Sequence, residues 1–175
     1  MPQIQRVSRY LILAFNFLLI AVPCFVIVQG FIDQDQMIST PEGFVNVRSL
    51  SWSSGAKPLW LTGIAINMFP IFLSLFVLKT LFRNYQIGEI FTEKNAMQYR
   101  KLGMLFFSYA LIAEPLSNLF TILAATLSNP PGHRYLQLAL GTPNLEALFC
   151  GILVLVISWI MREATKIHDE QTLTV

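Results

Sequence analysis

A chain of 175 residues with 54% hydrophobic and only 13% charged side chains lies far from the composition of a soluble domain. A soluble fold of this length has room for one core, but not for four apolar segments of membrane-spanning length. The formal net charge is only +2, and the basic residues flank apolar runs, so a nucleic-acid partner is not indicated.

The first apolar run is predicted to span residues 10–32, with Arg6 and Arg9 ahead of it. Charge followed by an apolar run imitates a signal peptide. This run is too long for that role and lacks a small-x-small cleavage site. The stretch AVPC at residues 21–24 is a poor lipidation signal, because proline directly precedes the cysteine. A retained first helix is therefore expected. Cys24 lies in this run and Cys150 in the last one. Both are expected as small buried core residues, since unpaired cysteine packs well among apolar groups.

The segment Asp33–Lys57 is the longest outer loop, and its part around Phe44–Trp52 alternates weakly enough for a short strand or hairpin arm. Trp52 and Trp60 are expected as interfacial anchors. The second span is predicted over 58–78 and the third over 102–127. Pro23, Pro70 and Pro115 each fall within a span, and each removes a backbone donor, so bends are expected. Between the second and third spans, Gly88 should break one helix and Thr92 should cap the next, near Glu93. Ile87, Ile90 and Phe91 are expected against the membrane surface. A lone Gly88 makes no phosphate cradle.

NPPGH at residues 129–133 marks a turn, and Thr142–Pro143 should cap and begin the fourth span, predicted over 143–161. The tail REATKIHDEQTLTV should continue that helix briefly. Nine of the twelve basic residues then fall on one side, leaving Arg48, Lys57 and Arg134 on the other. The positive-inside rule predicts both termini in the cytoplasm. The expected fold is thus all-α: a four-transmembrane-helix bundle in the cytoplasmic (inner) membrane, with 1–175 as a single domain.

RNYQIGEIFTEKN, then YRKLG, then a last span leading to IMREATKIHDEQTLTV, resembles a bacterial family of small four-span membrane proteins classed as a domain of unknown function. Its specific portions here are Gly88–Thr92, Arg100–Gly103 and the end Leu173-Thr174-Val175. Ala164 departs from the glycine that commonly follows the arginine–glutamate pair. Members are often encoded beside a helix-turn-helix regulator, which implies regulated expression and a signalling or protective role. The resemblance carries over no catalytic residue.

Glu114 stands midway along the third span, where a charged carboxylate is costly unless it is paired, hydrated or protonated. Helical spacing groups Ala110, Glu114, Ser117, Asn118, Thr121 and Ala125 into a small and polar stripe that should face other helices. Asn67 is expected at similar depth in the second span. One reading is a proton-, ion- or ligand-responsive site with Asn67, Ser117 and Asn118 around Glu114. The other is a protonated or hydrogen-bonded Glu114 that joins helices. Glu146 suits the positive end of the fourth helix and is a weaker site candidate, as is His133 in an outer turn. His168 and His133 fall on opposite sides, so no shared metal is expected, and no cofactor is implied.

No serine–histidine, cysteine–histidine, HExxH or paired-aspartate arrangement supports an enzyme. The preferred reading is a small regulatory or accessory membrane protein acting through a protein partner. The partner would meet the outer loop, the inner loop or the tail. Transport or sensing through Glu114 is the alternative. Membrane lipids are the other expected contact, and the sequence leaves the oligomeric state open.

Overall fold

Four helices long and apolar enough to cross a membrane form the molecule in a computed structural model, which describes residues 2–29, 35–40, 43–48, 55–128 and 144–173. Helix α1 runs Pro2–Gln29, α2 Ala56–Gln86, α3 Glu93–Ser108, α4 Glu114–Ser128 and α5 Leu145–Leu173. A single π-turn, Tyr109–Ala113, joins α3 to α4, so these two form one continuous third span, Glu93–Ser128. The architecture is the expected all-α bundle of four transmembrane helices. Strands β1 (Asp35–Thr40) and β2 (Gly43–Arg48) pair antiparallel in the register Asp35↔Arg48 to Thr40↔Gly43. The expected hairpin is thus present, centred earlier than the Phe44–Trp52 alternation suggested.

Packing follows a row: α1 lies on α2, α2 on α3 and α4, and α5 mainly on α3. The α1–α2 seam buries Ser8 and Leu81 almost completely and brings Phe15 to 5.6 Å from Phe82 between ring centroids. At the opposite end of α2, Trp60 is buried with Ala56 and Ala124. This corrects the expectation of an interfacial anchor at Trp60: the small Ala124 on α4 leaves room for the indole inside. Trp52 lies outside the described residues.

Close helix approach depends on missing side chains. A Cβ added at Gly63 would meet Phe120 Cβ and the Ser117 carbonyl oxygen, each at 3.0 Å; at Gly103 it would meet Leu155 Cγ at 2.7 Å. These glycines let α2 meet α4 and α3 meet α5 with little side chain between them. Ser158 of α5 adds a directional tie, its hydroxyl donating to the Ala96 carbonyl at 2.7 Å. Other hydroxyls within the helices, those of Thr62, Ser74 and Thr121 among them, donate to the carbonyl four residues back. Those back-bonds satisfy the hydroxyls where no water is at hand.

Both cysteines are exposed, which corrects their expected burial. In a membrane bundle the outward face meets lipid, so an apolar position need not point inward. The α5 helix begins behind an Asn144 cap, whose side-chain oxygen accepts from Ala147 N–H at 3.0 Å; Thr142 and Pro143 lie outside the described residues. The same helix continues to Leu173, well past the predicted end of the span.

Candidate functional site

The middle of the third span is shaped by Pro115. With no N–H, it cannot bond the carbonyl four residues back, and the chain widens just before it. Glu114 N–H donates to the Tyr109 carbonyl, five residues back, within this π-turn. One extra residue in the turn shifts the faces that follow, a feature that recurs at functional sites in helices.

The widened turn brings Tyr109 into the polar group. Its hydroxyl lies near the Asn67 side chain of α2 and near Glu114, so the three polar groups share one region between α2 and the third span. Glu114 is half-buried, and its Oε2 is shielded with no hydrogen-bond partner among the described residues. A shielded carboxylate oxygen with no partner is costly in this setting. Of the sequence candidates, the structure therefore gathers Glu114 and Asn67 around Tyr109. The tyrosine escaped the sequence reading because it stands five residues before Glu114, a spacing that shares a face only across a π-turn.

The remaining candidates are placed differently. The buried line of α4 runs through Ser117, Thr121 and Ala124, continuing from Ala113. Ser117 sits at the close approach to Gly63, and its carbonyl accepts from the Thr121 hydroxyl at 3.0 Å. Asn118 lies one residue round the helix from Ser117, about 100° away, and is exposed. The expected stripe thus faces inward at Ala110, Ser117 and Thr121 but outward at Asn118. Glu146 is exposed in the first turn of α5. His133 lies outside the described residues. Among the described residues, no group of three histidine, cysteine, aspartate or glutamate side chains gathers to hold a metal ion.

A second polar cluster lies at the turn between α2 and α3. Asn95 is fully buried. Its amide nitrogen donates to the carbonyls of Glu89 at 2.6 Å and Ile90 at 2.9 Å, and its oxygen accepts from Asn84 at 2.7 Å. The Thr92 hydroxyl caps α3 by accepting from Asn95 N–H at 3.3 Å, and Gly88 takes a positive φ of 89°. The Tyr85 and Tyr99 hydroxyls are bonded across the same junction at 2.9 Å. Both the cap at Thr92 and the break at Gly88 match the sequence reading. Ile87 and Phe91 are exposed on the outside of the turn. RNYQIGEIFTEKN is therefore a latch between two spans: its polar side chains close on each other and on backbone carbonyls.

A family model described as "Protein of unknown function (DUF2975)" matches residues 6–175. No curated protein and no solved structure matches the chain.

Proposed function

This chain belongs to the DUF2975 family, and from that premise we propose that it is a small regulatory or accessory protein of the cytoplasmic membrane acting through a protein partner. The observation that carries this reading is Asn118. It is exposed within the third span and has no hydrogen bond to another described residue. An amide facing hydrocarbon seeks a partner, and an amide or hydroxyl on another transmembrane helix supplies one, worth about 1 kcal/mol. The row-like packing supports the same reading, because α1 and α5 flank the molecule with broad apolar faces. At the end of the fourth span, Leu145–Ile167, the 52% exposed Ile167 is a further contact point.

A photo-crosslinking residue placed at Ala125, seven residues on and therefore on the Asn118 face, tests the proposal in intact membranes. One specific protein adduct is expected, either a second copy or another protein. Asn118→Leu should weaken it about fivefold, the equivalent of the single hydrogen bond. Lipid adducts alone would remove the partner reading.

A second reading rests on a different observation: the shielded, unpartnered Oε2 of Glu114 beside Tyr109 and Asn67. Here the group senses or passes a proton or a small cation. Infrared spectra of the protein in lipid, with Glu114→Gln identifying the carboxyl band, decide it. A band that changes with pH or added cation supports sensing. A protonated, invariant carboxyl makes Glu114 a packing group.

A further inference from the structure

Five polar side chains from two helices converge on an open cavity that neither reading above uses. The cavity holds about 520 Å³ and is lined by Gln5, Arg6 and Arg9 of α1 and by Arg83, Gln86 and Ile87 at the end of α2. No carboxylate lines it, and among the described residues none of the three guanidiniums forms an ion pair. Another polar cavity, between the start of α3 and the 162–166 stretch of α5, is different, because Glu93 there stands with Arg162 and Lys166.

The arrangement follows from helix spacing. Gln5 and Arg9 are four residues apart, Arg6 and Arg9 three, and Arg83 and Gln86 three, so each helix presents one polar face. The seam beneath them is fixed: Ser8 and Leu81 are almost wholly buried, and Phe15 packs on Phe82. Gln5 also reaches the turn, its Nε2 lying 3.9 Å from where a Cβ on Gly88 would stand. The two helix ends are thus held together while the three arginines stay exposed.

Three like charges around one cavity repel each other, and an anion between them reverses that term. Guanidinium groups pair with phosphate through two parallel N–H bonds, and the glutamine amides can supply neutral donors to the remaining oxygens. The cavity also lies at the N-terminal end of the first candidate span, Gln3–Val28, where the sequence turns apolar after Arg9, and basic groups at such a span end attract anionic headgroups. We propose that Gln5, Arg6, Arg9, Arg83 and Gln86 form a binding site for a phosphate-bearing anion, supplied either by the head of an anionic phospholipid or by free phosphate.

The test uses the full chain in phosphatidylcholine nanodiscs. Phosphatidylglycerol is titrated in one arm and inorganic phosphate in the other, with retention read by native mass spectrometry and stabilisation by thermal unfolding. The variant Arg6→Gln/Arg9→Gln/Arg83→Gln should bind about tenfold more weakly than wild type. The control Lys94→Gln/Lys101→Gln/Lys166→Gln removes equal charge outside the cavity and should stay within about twofold of wild type. A response to phosphatidylglycerol alone supports the site with lipid as its source, and a response to inorganic phosphate supports it with free phosphate. Equal losses in the two triple variants, or no loss in either, overturn the site. Should the arginine triple fail to fold, Arg9→Lys decides the matter, since it keeps the charge but not the fork. A loss of about threefold is then expected, and unchanged retention overturns the site.

Discussion

Asn95 makes three side-chain hydrogen bonds from a fully buried position, two of them to backbone carbonyls of the turn that precedes its own helix. Removing the amide leaves those carbonyls and the Asn84 amide without it beside a fully buried position. Asn95→Ala is therefore expected to cost about 2–4 kcal/mol, read as a shift in equilibrium unfolding in mixed micelles. Asn95→Asp should be no milder despite its matched shape, because an ionised carboxylate sets acceptors against the Glu89 and Ile90 carbonyls. An aspartate variant as stable as wild type would show that the latch does not depend on those two donations. Gly88 and Thr92 were legible beforehand, since a glycine break and a hydroxyl cap act on their own neighbourhood. Asn95 was not, because its partners exist only once the turn has formed. Asn118 shows the converse limit: spacing grouped it with Ser117, but the rotation of a helix about its axis is set by its neighbours. A step of about 100° separates inside from outside.

At the scale of elements, the four spans were legible from apolar length alone, and the Trp60, Cys24 and Cys150 corrections share one cause. Hydropathy reports that a segment leaves water; it does not report which face meets protein and which meets lipid. The seams themselves depend on glycine, and the two seams differ in what a new methyl group would strike. At Gly103 the nearest obstacle is the Leu155 side chain at 2.7 Å, with the Gly151 carbonyl farther off at 3.2 Å, whereas at Gly63 the Ser117 carbonyl itself stands at 3.0 Å. Either glycine replaced by alanine is expected to destabilise by about 1–3 kcal/mol. Trimming Leu155 to alanine should recover a substantial part of the Gly103→Ala loss, giving a coupling of at least about 0.5 kcal/mol in a double-mutant cycle. Alanine keeps the Phe120 Cβ that stands at 3.0 Å, and no side-chain trimming moves the carbonyl, so Phe120→Ala should recover less at Gly63. Equal recovery at both seams would mean that the backbones slide apart freely, contrary to the close approach seen here. The π-turn was not legible as such: Pro115 announces a disturbed helix, yet a kink, a break and a π-turn all accommodate the missing donor.

For the whole molecule, orientation is the property on which the functional proposals converge, since the arginine cavity, the latch and the α5 extension would share one side. The expected side is the cytoplasm, by the excess of nine basic residues over three. Fluorescent and phosphatase reporters fused after Val175 test this directly. The fluorescent fusion should be bright and the phosphatase fusion silent, while the same phosphatase inserted between 49 and 54 should be active. Charge counting makes a sharper forecast. Neutralising Arg6, Arg9 and Arg83 leaves six basic residues on the inner side against three outside, so the reporters should give the wild-type pattern. An inverted pattern would mean that the arginine cluster itself sets topology, and it would recast the cavity as a product of insertion rather than a place for an anion. An unchanged pattern separates the two roles, because any loss of anionic headgroup binding then has to arise in a chain already threaded the right way.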